Sequence, residues 1–174
     1  MNSFVIAQIF GVLSIIVSVL SMQLKDRENI LLSLFLINLF SAFYFVFLRS
    51  FSGAYVCLFA DLEILINSFF ESKKMKTPIF VIVIYVIITI FLGMFTYKSM
   101  IDLLPIFCSL LYCCSIIVKE ESDIRKLTLI KQIVWFVFEI KINAYLFSFF
   151  SIIIIISILF AIYKYDYAHV YNNG

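Results

Sequence analysis

The chain has 174 residues, of which 64% are hydrophobic and 14% are charged. Soluble domains average about 45–50% apolar and about 25% charged residues. This composition excludes a soluble globular protein, because a core of this size could not bury so much apolar surface. A membrane-spanning helix needs about 20 residues, so seven spans use about 140 residues and leave only loops and short tails. We therefore predict one polytopic membrane domain over residues 1–174.

Seven apolar segments, separated by clusters of charge, are predicted to be transmembrane helices of an all-α membrane protein. They lack the alternation of barrel strands, and an open sheet would leave backbone groups unpaired in hydrocarbon. The first run has no preceding Lys or Arg and no small-residue cleavage site, so we expect a retained span and no signal peptide. The predicted spans are residues 4–24, 30–48, 53–70, 78–96, 101–118, 127–140 and 144–163.

Positive charge is distributed unevenly between the two sides of this predicted domain. Nine Lys and Arg residues follow spans 1, 3 and 5 or lie in the C-terminal tail, and three lie on the opposite side, with Lys131 left out because it is inside span 6. Positively charged loops stay in the cytoplasm, so we predict an external N-terminus and a cytoplasmic C-terminus. The nine are Lys25, Arg27, Lys73, Lys74, Lys76, Lys119, Arg125, Lys126 and Lys164, and the three are Arg49, Lys98 and Lys141.

The first three spans align with the last three when the sequence is shifted by 94 residues. Small and polar residues at steps of three and four, which share one helix face, then recur at matching positions. The alternative is a chance alignment, since any two triplets of apolar helices can be matched loosely. The matching stripes are Gln8, Gly11, Ser14, Ser18 and Ser21 with Asp102, Pro105, Cys108, Tyr112 and Ser115, and Asn38, Ser41 and Phe45 with Gln132, Trp135 and Glu139.

Span 4 lies between the two triplets and differs from the other spans. Over residues 79–92 its polar groups are only Tyr85 and Thr89, so we predict a connector that faces lipid. A single connector gives both triplets the same orientation in the membrane. The prediction is a 3+1+3 arrangement of parallel repeats, with the first triplet in residues 1–72, the connector in 78–96 and the second triplet in 101–165.

Short motifs recur along most of the chain. They are Ala7-Gln8-x-x-Gly11, Ser21-x-Gln23-x-Lys25-x-Arg27-x-x-Ile30-Leu31, Asn38, Asp102-Leu103-Leu104-Pro105 and Trp135. These motifs resemble those of the YgjV-type family of bacterial inner-membrane proteins. The resemblance implies a place in the bacterial inner membrane, but the family brings no assigned activity.

The 3+1+3 arrangement is similar to that of the SWEET sugar transporters, a parallel-repeat fold related to the PQ-loop proteins. SWEET proteins carry a proline in the first helix of each repeat. Pro105 matches the second of these prolines, whereas Gly11 stands at the position of the first. This departure puts a SWEET-type gating hinge in doubt, and likeness of fold does not establish sugar transport.

Asp61, near the middle of span 3, is the sharpest candidate for a functional residue. An ionised carboxylate at this depth costs about 2.5–3.5 kcal/mol on insertion scales. The helix face of Asp61 continues through Ala54, Cys57 and Ser68, so we expect the carboxyl to face the bundle. Two interpretations stay open: a solute or proton site, or a carboxyl that is neutral or paired with Lys131 and locks helices together.

Glu63 lies about 200° around the helix from Asp61, so the two acids cannot both face one central cavity. Glu63 and Asn67 share a face at an i, i+4 spacing. We expect this pair to be structural and to point toward a neighbouring helix or the cytoplasmic end.

Span 6 presents Gln132, Trp135 and Glu139 on one stripe, and the repeat places Asn38 and Ser41 of span 2 at matching positions. An indole flanked by amides suits a small polar solute, because the ring stacks while the amides form hydrogen bonds. The alternative is interhelical hydrogen bonding of about 0.6 kcal/mol per bond. We expect Glu139 to approach the outer surface and Lys131 to extend toward the cytoplasmic one.

Several classes of chemistry are disfavoured by the residues present. The single histidine, His169, lies in the C-terminal tail, and the sequence has no pair of intramembrane aspartates on one face, no P-loop and no metal cluster. We therefore expect no enzyme activity, no cofactor and no metal. The four cysteines lie in apolar runs and are expected to be packing residues: Cys57, Cys108, Cys113 and Cys114.

Two functional hypotheses follow. The first is a small SWEET-like carrier or facilitator whose substrate-binding residues are Asn38, Ser41, Asp61, Gln132 and Trp135. The second is a non-transporting membrane protein that binds a partner or lipid and uses its polar stripes for helix packing. The expected partners are the lipid bilayer, a small polar solute and, in a homo-oligomer, further copies of the chain, and no nucleic acid. The cluster Lys73-Lys74-x-Lys76 is expected to set topology and touch anionic headgroups.

Overall fold

In a computed structural model, residues 3–21, 27–73, 75, 77–118 and 120–167 are described, and they contain seven α-helices and no strand. The chain divides into two compact units, Met1–Asp102 and Leu103–Gly174. The helices are α1 (Ser3–Ser21), α2 (Arg27–Phe47), α3 (Phe51–Ser72), α4 (Ile79–Thr96), α5 (Leu103–Ile117), α6 (Glu121–Lys141) and α7 (Tyr145–Ile162), with a 3-10 turn at Met100–Asp102 and a π turn at Tyr163–Tyr167.

In the first unit, α2 packs between α1 and α3. The buried face of α1 consists of the small residues Ala7, Gly11 and Ser14, which let two helices approach closely. The hydroxyl oxygen of Ser14 lies 2.9 Å from that of Ser41 and 3.1 Å from the carbonyl oxygen of Ile37. The polar stripe of α1 therefore holds α1 against α2.

The fourth helix packs against α3 through a mixed apolar and polar face. The Tyr85 hydroxyl donates to Asn67 Oδ1 over 3.2 Å, and the Tyr85 ring makes an edge contact with Phe59. Thr77, just before α4, also donates to Asn67 Oδ1 over 3.0 Å. This face of α4 therefore packs against α3. The opposite side of α4 does expose large apolar side chains, among them Phe91, Met94 and Phe95.

Asp102 closes the turn that follows α4. Its Oδ1 accepts a hydrogen bond of 2.8 Å from the Ser52 hydroxyl at the start of α3. Its Oδ2 accepts bonds from the backbone N–H groups of Lys98 and Ser99 and from the Ser99 hydroxyl. Asp102 thus ties the end of the first unit to α3, which gives this member of the predicted stripe a structural role.

In the second unit, α6 packs between α5 and α7. The sequence predicted a short sixth span at residues 127–140, but α6 begins at Glu121. The added turn is polar and helix-compatible: Asp123 lies near the positive end of the helix dipole, and Lys126 donates to its Oδ1 over 3.0 Å. Charge marks the end of an apolar run and need not mark the end of a helix.

An ion pair joins the start of α6 to the turn after α7. The Arg125 guanidinium donates to both carboxylate oxygens of Asp166, with Nε at 3.1 and 3.3 Å, and its terminal nitrogen also contacts Oδ1. These hydrogen bonds from Arg125 hold the pKa of Asp166 below its usual range. The carboxylate therefore stays charged at neutral pH and keeps the contact.

Three helix ends of the second unit stand 94 residues after their counterparts in the first unit. The offset carries both ends of α2, Arg27–Phe47, onto both ends of α6, Glu121–Lys141, and the first residue of α3 onto the first residue of α7. The packing of the helices also corresponds, because the second helix of each unit packs on the first and the third.

Hydrogen bonds between helices follow the same offset. The contact from Ser14 Oγ to the Ile37 carbonyl in the first unit matches a bond of 3.5 Å from Cys108 Sγ to the Lys131 carbonyl in the second. A serine hydroxyl and a cysteine thiol thus occupy equivalent places between the first and second helices of their units.

The corner between the second and third helices is also equivalent in the two units. Arg49 and Asn143, 94 residues apart, both adopt the left-handed conformation with φ of 60°. The backbone N–H groups around them donate to equivalent carbonyls. These bonds run from Leu48 to Tyr44, Arg49 to Val46 and Ser50 to Phe45, and from Ile142 to Phe138, Asn143 to Ile140 and Ala144 to Glu139.

Substituting Arg49→Gly is expected to stabilise the first corner by about 0.5–1 kcal/mol. Left-handed backbone costs most L-residues about 1–2 kcal/mol, whereas glycine adopts it freely but loses more entropy on folding. Asn143→Gly should gain less, because asparagine tolerates this conformation better than arginine. Thermal unfolding of the purified protein in detergent measures both, and a loss of stability in Arg49→Gly would contradict the assigned backbone.

Four of the helices are long and apolar enough to cross a membrane: α1, α3 over Phe51–Phe70, α4 and α7. The apolar stretches Leu31–Phe47 and Met100–Ser115 are shorter, and α6 carries seven charged residues. The described part of the chain is thus all-helical, with several spans for a bilayer.

Candidate functional site

Asp61 lies on the face of α3 that packs against α2, and it is only 4% exposed. The side-chain amide of Asn38, on α2, is a polar neighbour of the carboxylate. Neither carboxylate oxygen has a hydrogen-bond partner among the described residues. Burial with only this amide nearby is costly for a polar group and more so for a charged one, so the carboxyl contributes little to packing.

The surroundings of Asp61 follow from the residues of α3. Ala54 and Cys57 lie on the same face and are buried with it, as the small and polar stripe predicts. Small side chains at these positions bring α2 close to α3, and the closer approach removes Asp61 from lipid and water.

Glu63 is buried on the other side of α3. Phe59 and Asn67, four residues before and after it, both contact Tyr85 of α4, and the helix repeat places Glu63 between them. Glu63 takes part in further interactions, in keeping with the structural role expected for it and Asn67. Asp61 and Glu63 therefore face different helices.

The predicted residues of α2 separate into two directions. Asn38 lies beside Asp61, on the α3 side. Ser41 faces α1, and its hydroxyl donates to the Ile37 carbonyl over 2.7 Å and lies near Ser14. The hydrogen-bonding capacity of Ser41 is therefore used in packing α1 on α2.

In the second unit, Gln132, Ser151 and Glu139 form a chain of hydrogen bonds between α6 and α7. Gln132 Nε2 donates to Ser151 Oγ over 2.9 Å, and Ser151 Oγ donates to Glu139 Oε2 over 2.6 Å. Glu139 is only 6% exposed. Its carboxylate turns to α7 and is enclosed within the unit.

Sequence reasoning missed Ser151 altogether and did not include Glu139 among the candidate site residues. The sequence did contain a signal for Ser151. Ser151 stands 94 residues after Cys57, and Cys57 lies on the buried face of α3 that carries Asp61. Asn38 and Gln132 are separated by the same offset. Each unit thus places a side-chain amide near a buried carboxyl.

Trp135 is half-buried on the stripe between Gln132 and Glu139. Its ring makes an edge contact with Phe138, with the centroids 5.4 Å apart. Asn38, Ser41 and Asp61 belong to the first unit, and Gln132 and Trp135 to the second.

Lys131 lies one residue before Gln132, and its ammonium group stands 5.7 Å from the centroid of the Tyr112 ring on α5. In the described part of the chain the cysteines form no disulfide, and Cys57, Cys108 and Cys113 are buried. In the described part of the chain, no group of three His, Cys, Asp or Glu residues could hold a metal ion.

Some residues used in the sequence arguments lie outside the described part of the chain. They are Gln23 and Lys25 of the first-loop motif, Lys74 and Lys76 of the basic cluster, Lys119, and His169.

Comparison with known proteins identifies the family. A family model described as "Imp-YgjV: Bacterial inner membrane protein" matches residues 5–169. No curated protein and no solved structure is significantly similar to the chain. The match covers nearly the whole chain, including both units. The chain therefore belongs to the Imp-YgjV family and is a multi-pass protein of the bacterial inner membrane.

Proposed function

We propose that this protein is a carrier or facilitator of a small polar solute, built from two repeats of three helices. The supporting observation for the repeat is the offset of 94 residues, which relates helix ends, interhelical hydrogen bonds and left-handed corners of the two units. A chance alignment of apolar segments gives no reason for equivalent atoms to form equivalent bonds.

In the proposed topology all seven helices cross the membrane, with the N-terminus outside and the C-terminus in the cytoplasm. The excess of Lys and Arg in the loops after α1, α3 and α5 supports this orientation. With α4 as the connector, the two triplets run in the same direction, in a 3+1+3 arrangement of parallel repeats.

The proposed solute-binding residues are Asn38, Ser41 and Asp61 in the first unit and Gln132 and Trp135 in the second. Amide and carboxyl groups supply hydrogen bonds to a polar solute, and the indole supplies a flat surface for stacking. The proposed activity involves no enzymatic step, cofactor or nucleic acid.

The single observation that carries this proposal is the buried Asp61 carboxyl, whose oxygens have no hydrogen-bond partner among the described residues. An intramembrane acid that contributes little to packing is retained at a cost in stability, and such residues mark substrate or ion pathways.

Uptake into proteoliposomes over a panel of radiolabelled sugars, amino acids and other small polar solutes tests the proposal. We expect a solute to enter, and we expect Asp61→Asn and Trp135→Ala to lower its initial rate at least tenfold. Glu63→Gln is the matched control in the same helix and should keep most of the rate, because Glu63 faces α4. If Asp61→Asn and Trp135→Ala both leave the flux unchanged, the site is wrong.

A second candidate is a membrane protein that binds a partner or lipid and transports nothing. The contacts of Ser14 with Ser41 and of Gln132 with Ser151 favour it, because they satisfy polar groups inside each unit. Absence of uptake for the whole panel, together with co-purification of a defined lipid or protein, would support this alternative.

A further inference from the structure

We infer that Asp61 and Glu139 form two proton-binding sites, one in each unit, and that each carboxyl holds a proton when it is enclosed between helices. The inference deepens the proposed carrier function. It rests on that function for the role of the two sites, which is to couple solute movement to protons. The binding of the proton itself is a property of each unit alone.

The Asp61 site holds no cation in the described part of the chain, and the one nearby group that could stabilise a charge is a neutral amide. On the α2 side the polar neighbour is the neutral amide of Asn38. On the opposite side of α3, toward α4, lie the acid Glu63 and the Tyr85 hydroxyl. Neither oxygen of Asp61 accepts a hydrogen bond in the described part of the chain. A carboxyl enclosed with no cation and only a single neutral amide beside it lowers its energy by taking up a proton.

The Glu139 site has one strong donor and is otherwise enclosed by its own unit. Ser151, on α7, donates to Oε2 over 2.6 Å and itself accepts from Gln132. On the α5 side, the Cys108 thiol lies near both Glu139 and Lys131. The Lys131 ammonium lies over the ring of Tyr112, and no ion pair with Glu139 is found in the described part of the chain. One hydroxyl leaves most of the carboxylate charge uncompensated.

The coordination chemistry favours a proton over a metal cation. Calcium takes six to eight oxygen ligands, and magnesium requires near-octahedral geometry. The side chains of Asp61 and Asn38 supply at most three oxygens, and the described residues contain no cluster of three His, Cys, Asp or Glu. A proton needs a single oxygen and no coordination shell, so it is the one cation that both sites can bind as built.

The two sites lie at different depths along their own units. Asp61 is ten residues from the start of α3, about 15 Å along the helix, whereas Glu139 is two residues from the end of α6, about 3 Å from it. In the proposed topology both of these helix ends are on the outer side. Glu139 would then take up a proton near the outer surface and Asp61 near the midplane of a bilayer core about 30 Å thick.

Labelling with dicyclohexylcarbodiimide, an apolar reagent that reacts with protonated carboxyls, tests the inference without any solute. The wild-type protein in liposomes is labelled at a series of pH values, and modified peptides are quantified by mass spectrometry. We expect label on Asp61 and on Glu139, falling about tenfold for each pH unit above a midpoint. As a control, a water-soluble carbodiimide should label the exposed carboxylate of Asp123, which shows that a modified carboxyl is detected.

Variants assign the label to single residues. Asp61→Asn should remove only the label of α3, and Glu139→Gln only that of α6, while Glu63→Gln should leave Asp61 labelled. Infrared spectra of the wild-type protein, with a protonated-carboxyl band that disappears on raising the pH, give the same result without any variant. If neither carboxyl is labelled at any pH and the infrared band is absent, the inference is overturned.

The outcome is independent of the uptake assay. Labelled carboxyls in a protein that moves no solute would support proton binding and contradict the carrier. Solute uptake by a protein whose two carboxyls are never labelled would support the carrier and overturn proton binding.

Discussion

Replacing Asp61 by leucine is expected to stabilise the protein by about 2–3 kcal/mol. The carboxyl is 4% exposed and has no hydrogen-bond partner among the described residues. An unsatisfied buried polar group costs about 1–3 kcal/mol, and insertion scales place a charged residue at a helix centre near 2.5–3.5 kcal/mol. Leucine has the same number of side-chain heavy atoms as aspartate, is branched at the same carbon and is apolar, so it removes this cost and still fills the α2–α3 interface.

Glu63→Leu is the matched control, two residues away in the same helix. Glu63 is also buried, but it makes interactions on the α4 side, so its replacement should lower stability by about 1–3 kcal/mol. Equilibrium unfolding in detergent micelles compares the two variants with the wild type. A destabilised Asp61→Leu variant would mean that the carboxyl has a partner, and the basis of both proposals would then be lost.

The opposite signs expected at positions 61 and 63 separate function from packing. A residue kept only for structure loses stability when it is replaced, whereas a residue kept for function can gain stability and lose activity. Asp61→Leu should therefore unfold later than the wild type and transport nothing. For the non-transporting alternative, stability would rise without any loss of a measurable activity.

Most of the helical framework could be predicted from the sequence, because hydropathy in lipid leaves the backbone few choices. The predicted spans 78–96 and 144–163 agree with α4 and α7 to within a residue at each end. The start of α6 could not be read in the same way. Residues from Glu121 are polar, so hydropathy marks them as loop, yet they continue the helix beyond its apolar part.

The candidate site could be predicted only in part, because spacing gives the face of a helix and not its neighbour. The stripe of Ala54, Cys57 and Asp61 indicated a buried carboxyl, and Asp61 is buried. The same kind of stripe could not show that Ser41 bonds to Ser14, or that Glu139 turns toward Ser151. Both hydrogen bonds depend on which helices pack together.

Constant spacing between the units carries information that residue identity does not. Ser14 and Cys108 are different residues with the same bonding partner, a carbonyl 23 residues further on. Arg49 and Asn143 share an unusual φ angle although their side chains differ in size and charge. Sequence comparison scores residue identities, so such equivalences are weak in the sequence. They become clear in the geometry of the backbone.

Substituting Ser151→Ala is expected to destabilise the protein by about 1–3 kcal/mol. The Ser151 hydroxyl forms two interhelical bonds at once, accepting from Gln132 and donating to Glu139. Interhelical bonds in membrane proteins average about 0.6 and reach about 1.7 kcal/mol each. Removing the hydroxyl also leaves the buried Glu139 carboxyl without this donor, which adds a desolvation penalty.

Ser148→Ala provides the control within the same turn of α7. Ser148 is also buried, but its hydroxyl donates to the carbonyl of Ala144 in its own helix. That carbonyl keeps the backbone bond from the Ser148 N–H, so the loss should stay below about 0.5 kcal/mol. Combining Ser151→Ala with Gln132→Leu in a double-mutant cycle isolates the bond between them, with an expected coupling near 1 kcal/mol. Additive effects would show that Gln132 is free to face a solute, and a measured coupling would show that it must first leave Ser151 to do so.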